Sequence, residues 1–239
     1  IHFPPLTSEE MLTRIATRLR FDHPGLPRIL QHGQTTGGFA GMIPGVPYLV
    51  TESLEPVGRE ALPKRWSTLR DRLIQLLECM GEAHAYNAFH GAMGFSWLFQ
   101  QPQADPPILR VEGWYIDGTG RIPAGMSEWL IAPECAEAQR IRPSELVQMD
   151  LYGVGFLAWG LACGKPPRPR QTKDPLARFD PQYRVPSGFA QWMQELLRCD
   201  AVNRPRAASI ALDHLLEVDR LRRTIPPGSV GQRIPTRPP

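Results

Sequence analysis

A mostly helical α+β fold is predicted by three observations on this 239-residue chain. Apolar residues return at helical spacing in five separate stretches, at 7–21, 66–88, 146–163, 188–198 and 206–222. The short apolar pieces that read as strands are confined to the first 56 residues and to 95–120. A glycine-dotted apolar run, Leu151 to Cys163, is too short to span a bilayer and reads as a buried core helix.

The first helix is expected from about Thr7 to Phe21. Ser8 caps it, Glu9 and Glu10 suit the first turn, and Met11, Leu12, Ile15 and Leu19 return at helical intervals. Asp22-His23-Pro24-Gly25 stops it. Leu26 to Leu30 and Pro47 to Glu52 then read as two strands separated by a glycine-rich loop from Gly33 to Gly45. Leu69, Leu73, Leu76, Leu77, Met80 and Ala83 define a long amphipathic helix from Trp66 to Ala88. Residues 95–120 alternate apolar patches with Pro, Asp and Gly, which suits short strands and loops. Helices follow at Leu146–Cys163, Gly188–Arg198 and Arg206–Arg222, and Pro226–Pro239 is a tail rich in Pro, Gly and Arg. No internal repeat stands out.

Composition limits the function classes. Lys and Arg together outnumber Asp and Glu by only 27 to 24, so no broad electrostatic footprint for nucleic acid is present. Arg168-Pro169-Arg170 and Arg220-Leu221-Arg222-Arg223 are short runs that read as solvated surface. Cys79, Cys135, Cys163 and Cys199 are scattered, with neither Cys-x-x-Cys nor zinc spacing, which suits reduced thiols and a cytoplasmic setting. No charged-then-apolar leader opens the chain; its start at Ile1 leaves a removed upstream segment open.

Three stretches carry the structural message: Ala132-Pro133-Glu134, Asp150 opening the apolar run Leu151-Tyr152-Gly153-Val154-Gly155, and Asn203-Arg204-Pro205. A buried carboxylate is costly unless paired and hydrogen bonded, so an acid after Ala-Pro, an acid opening an apolar helix and a later Arg make a coherent set. Together with His90-Gly91, they resemble the protein kinase fold of bacterial and eukaryotic-type Ser/Thr kinases. The resemblance implies that Glu134 pairs with Arg204, that Asp150 holds the catalytic loop by its backbone amides, and that His90 is a packing residue. It reads Pro47–Leu54 as the strand into the hinge and Gly164-Lys165-Pro166-Pro167 as the turn after the family's helix F. It divides the chain into a truncated N-lobe remnant at 1–56, a mostly helical C-lobe at 57–224 and a tail at 225–239.

The same comparison shows what is missing. Phosphoryl transfer needs an oriented nucleophile, a cation on the phosphates and magnesium ligands, which kinases supply through His-Arg-Asp-x-Lys-x-x-Asn. Aligned on His90, the base becomes Ala92, the lysine Gly94 and the metal-binding asparagine Trp97. Alanine accepts no proton, and an indole cannot replace an amide oxygen as a ligand. Where Asp-Phe-Gly is expected the chain reads Glu112-Gly113-Trp114, leaving one carboxylate that makes a poor metal site by itself. Arg14 or its neighbour stands where the family's helix C keeps a glutamate, and only twenty-two residues precede His23, too few for the family's glycine-rich loop and first strands. The segment Gly33 to Gly38 lacks the Gly-Lys-Ser/Thr ending of a P-loop and reads as a turn.

The expected function is therefore a catalytically inactive pseudokinase that acts as a protein-binding, scaffolding or regulatory subunit, with no cofactor or metal and no membrane segment. A half-sheet without its first strands exposes an unpaired edge, so a protein partner is expected along Tyr48, Val50 and Glu52. Two alternatives stay open. One is a kinase-fold enzyme with a rearranged site built from Glu112, Asp117 and His84 or His90. The other is a nucleic-acid adapter using Arg206, Arg220, Arg222, Arg223, Arg233 and Arg237. Of the six tryptophans, Trp66, Trp114, Trp129, Trp159 and Trp192 are expected as core fillers, and Trp97 as a plug in the cleft. Ser127, near the family's substrate-facing threonine, has no evident job without a base.

Overall fold

Helix α1 spans Ser8–Arg18 in the computed structural model, which describes residues 8–36, 44–58, 61–91, 93–95, 98–101, 109–112, 116–117, 132–135, 141–165 and 179–224. Helical bonding continues one residue further, with Leu19 N–H donating to Ile15 O at 2.9 Å. Ile15, Thr17 and Arg18 are buried, and α1 packs on strand β2 (Pro47–Thr51) and strand β7 (Ile116–Asp117).

Strand β1 is Ile29–Gln34, not the predicted Leu26–Leu30. Residues 23–27 are instead a pinned turn. Leu26 N–H donates to His23 O at 2.9 Å, Gly25 N–H to His23 Nδ1 at 2.9 Å, and Val111 N–H to Gly25 O at 2.8 Å. Pro27 has no N–H to give a ladder, so pairing starts beyond it. The strand therefore runs into the stretch expected as loop, through Gly33, where the Tyr48 ring lies so close that an added Cβ would sit 3.1 Å from its Oη. Antiparallel β1 and β2 pair His32 with Leu49 and Gly33 with Tyr48, with an irregularity between Ile29 and Gln31.

Two further small sheets complete the β content. Strands β3 (Glu55–Pro56), β5 (Leu98–Gln100) and β6 (Leu109–Val111) form one in the order β3-β5-β6. Strand β4 (Ala88–Phe89) pairs with β7. Asn87, at φ 55°, turns the chain from helix α2 into β4; asparagine tolerates this left-handed conformation better than most residues.

The core is helical. Helix α2 (Trp66–Ala85) buries Leu69, Leu73, Leu76, Leu77, Met80 and Ala83 against helices α3 (Pro143–Cys163) and α5 (Ala208–Thr224), as its periodicity predicts. Fully burying each large apolar side chain contributes about 1.5–3 kcal/mol. Trp66 Nε1–H donates to Asp219 Oδ1 at 2.8 Å and Arg70 pairs with Asp219 Oδ2 at 3.0 Å, fixing α2 to α5. Helix α4 (Ser187–Leu196) packs on α3 and α5.

Helix α3 opens with Pro143 at its first position, where a missing N–H costs nothing, and stops at Gly164 in the left-handed conformation, φ 68°. Inside it, Gly153 is needed for close approach, because a Cβ there would come within 2.7 Å of Met93 Cβ. The stretch Ser144–Cys163 is long and apolar enough to cross a membrane, yet 89% of its apolar 18-residue window is buried within the fold, as expected of a core helix. Trp66, Trp159 and Trp192 are buried core residues, while Trp97, Trp114, Trp129, Ser127 and the tail 225–239 lie outside the described residues.

Candidate functional site: the Asp150 anchor and Glu112

Asp150 lies about two turns into α3 with no exposed surface. Its Oδ2 accepts from His90 N–H at 3.0 Å and its Oδ1 from Gly91 N–H at 2.6 Å. The residues after β4 therefore cross the start of α3 with two amides turned onto one carboxylate. A third partner is His84 on α2, whose Nε2 stands 2.9 Å from Asp150 Oδ2. Sequence reasoning set His84 aside as a candidate for rearranged chemistry; here it helps to hold the buried acid. The sign was present, since His84 follows Met80 by four residues and so continues the buried face of α2.

His90 is 1% exposed. Burial pushes its pKa down, opposed by the Asp150 charge and by a hydrogen bond to the backbone of Glu112. It is a core group that ties the loop after β4 to the segment after β6. Gly94 is buried. Ala92 and Trp97 lie outside the described residues, as does the side chain of Arg14.

Glu134 sits in the middle of a single 3-10 turn, Pro133–Cys135. Both its carboxylate oxygens accept from Arg204, with Arg204 Nη2 to Glu134 Oε2 at 2.8 Å. The Arg204 side chain is fully buried, and its remaining N–H groups go to Gln148 O at 3.0 Å and to Arg198 O. Its guanidinium also stacks 5.0 Å from the Tyr152 ring centroid. A bidentate pair with carbonyls on the other arms meets the conditions under which a buried cation is tolerated. The carbonyls of Gln148 and Arg198 were not legible in the sequence, because any residue supplies one.

Glu112 follows β6 and is partly buried. Burial pushes its pKa up, while the Arg18 charge and a hydrogen bond with Thr51 pull it down. Arg18 itself donates to Phe21 O at 3.1 Å and to Pro27 O, pinning the turn after α1. The buried Arg18 at the end of α1 thus acts on the partly buried Glu112. Asp117 enters the structure by pairing with Ala88 in the β4–β7 ladder.

The residues proposed for partner contact divide. Glu52 accepts from Arg28 N–H at 2.9 Å and forms a largely buried ion pair with Arg110 Nε at 3.2 Å, joining β2 to β6. Tyr48 Oη accepts from Gln31 Nε2 at 2.9 Å. Val50 is 42% exposed. Of the three, only Val50 presents apolar surface without an internal task. Cys79 and Cys163 are buried thiols, that of Cys79 pushed up to about 12 by burial, and Cys199 is exposed.

The arrangement matches solved structures. It aligns with the crystal structure of Rad53 1-466 in complex with AMP-PNP over 86% of this chain at a TM-score of 0.64 and 18% identity. The chain has a protein kinase-like fold. This kinase-like chain spans 54% of the Rad53 chain that it matches. No family model matches its sequence, and no curated protein does either.

Proposed function

We propose that this kinase-like domain is a pseudokinase that no longer transfers phosphate and serves as a protein-binding, scaffolding or regulatory subunit. The observation that carries the reading is the split between two halves of one region. The carboxylate and ion pair that shape the loop are fully partnered, at Asp150 and at Glu134–Arg204. The positions that would supply the base, the phosphate cation and a magnesium ligand are Ala92, Gly94 and Trp97. Retaining the costly buried polar groups while replacing the reactive ones fits a scaffold better than an enzyme.

The rearranged-enzyme alternative rests on Glu112, whose burial favours a protonated carboxyl. His84 and His90 are already committed to Asp150 and to the core. For the nucleic-acid alternative, Arg220 is matched by Glu217 on the same helix face, at 2.7 Å from Nε, and its charge is locally balanced. The proposed partner surface is β2 around Val50.

A thermal-shift titration with ATP, with and without magnesium, tests the central claim, since a ligand that binds only the folded chain raises its melting temperature. No magnesium-dependent rise is expected. A magnesium-dependent rise accompanied by nucleotide turnover that disappears in Glu112→Ala would overturn the pseudokinase reading.

A further inference from the structure

The buried and half-buried arginines among the described residues are matched inside the chain, with one exception. Arg18 donates to Phe21 O and Pro27 O, Arg70 pairs with Asp219, Arg110 with Glu52 and Arg204 with Glu134. Arg72, about two turns into α2, is 8% exposed, and its Nη1 is shut off from solvent without an acceptor. Among the described residues no carboxylate or carbonyl accepts from this guanidinium. The one titratable group that acts on it is the Tyr183 phenol, which burial keeps neutral and whose proton goes to Leu161 O at 3.3 Å.

An arginine keeps its charge in a protein, so burial lowers its pKa without neutralising it. A buried charge with no counter-charge is among the costliest groups a fold can hold. A long side chain can escape this by laying its stem on apolar surface and its head in water, but here Nη1 itself is closed off. Such a group is a standing attraction for an anion from outside the chain. The charge count selects the class of anion. No second cation acts on Arg72, and it lies in the interior of α2, where the backbone N–H groups are already bonded along the helix. One buried cation balances one negative charge. A carboxylate supplies that charge on two oxygens that fit the guanidinium fork. A phosphate dianion would stay half neutralised, since phosphate sites gather several amides or cations.

We propose that Arg72 is the anchor of a binding site for a single carboxylate, carried by a small organic acid or by an acidic side chain of a docked partner. The proposal goes beyond the pseudokinase reading, for neither Glu112 nor the loop after β4 takes part in it. Binding turns an unmatched buried cation into a matched one, so a carboxylate raises the stability of the folded chain.

Melting of the full chain in sodium acetate, against sodium chloride and sodium phosphate at equal ionic strength, tests it. Acetate at about 0.2 M is expected to raise the melting temperature about 2–4 °C above the chloride control. In Arg72→Met, which keeps the bulk of the stem and drops the charge, that rise should vanish while the melting temperature in chloride holds or increases. Arg72→Lys keeps the charge without the fork, and should retain less than half of the rise. Shifts of the Tyr183 ring resonances on adding acetate locate the binding on the unaltered chain, whatever the variants do. A capped peptide with one glutamate separates the two sources. Its binding beside that of acetate admits an acidic side chain, and its exclusion leaves a small acid. An acetate effect matched by chloride, one that survives in Arg72→Met, or Tyr183 resonances that acetate leaves unmoved would each overturn the proposal. A larger rise in phosphate than in acetate would overturn the class of ligand. No nucleotide enters the experiment, so it and the ATP titration fail separately.

Discussion

The segment after β4 and the segment after β6 meet a carboxylate in opposite ways. Asp150 is enclosed on α3 and saturated by two backbone amides and a histidine. Glu112, after β6, is only partly buried, bonds to Thr51 and sits in the field of Arg18, and its pKa is pushed up. Donors aimed at an anion make its burial tolerable; burial without enough of them drives the group toward its neutral form. The difference teaches that the fold spends its polar precision on shaping the loop after β4 and little on holding charge at Glu112.

The largest effect should come from Asp150. Asp150→Ala strands the amides of His90 and Gly91 and the ring of His84 in the core, and about 3–5 kcal/mol of stability should be lost in urea unfolding. A loss below about 1 kcal/mol, the worth of one ordinary hydrogen bond, would break the comparison at its stronger side. Next comes the Glu134–Arg204 pair. Arg204→Met removes a fully buried cation together with its bonds to Gln148 O and Arg198 O, and about 2–4 kcal/mol is expected. Because Glu134 is 23% exposed, adding Glu134→Gln to Arg204→Met should cost much less than the sum of the two, a coupling that a double-mutant cycle reads directly.

A smaller and pH-dependent effect belongs to His90. Its folded pKa lies below the ordinary value of 6.5, so between those two values the unfolded chain binds more protons than the folded one. Stability should therefore be full above pH 6.5 and fall as pH drops toward the folded value; His90→Asn should flatten that decline in melting temperature. The smallest effect is expected at Glu112. Its raised pKa means that stability falls as pH rises through its titration, so Glu112→Gln should hold or slightly raise the melting temperature at neutral pH. A marked drop in that variant would show that the charged carboxylate is needed and would bring Glu112 closer in kind to Asp150.

Much of the helical layout was legible beforehand because burial imposes a period. Leu69, Leu73, Leu76, Met80 and Ala83 mark the inner face of α2 without reference to any other segment. The β content was less so. Strand β1 moved from Leu26–Leu30 to Ile29–Gln34 because the turn at 23–27 is held by Gly25 O accepting from Val111, more than eighty positions away. The site divides in the same way. Ala92, Gly94 and Trp97 can be read as unreactive from their side-chain chemistry alone. That Glu52 is engaged by Arg110, and so is less free for a partner than Val50, depends on how β2 meets β6.

By itself, then, the sequence determined which groups exist and which periods they follow: five helical stretches, one of them apolar all round, scattered thiols, and a loop without a base or a metal ligand at the expected positions. Those are local properties, fixed by covalent structure and by helical repeat. Only the tertiary structure decided the partners. Asp150 meets His84 and the His90 and Gly91 amides across 59 to 66 positions, and Arg204 meets Glu134 across 70. Hydrogen bonding acts over about 3 Å while the chain runs for hundreds, so whether a charged group is satisfied depends on the packing that brings distant segments together.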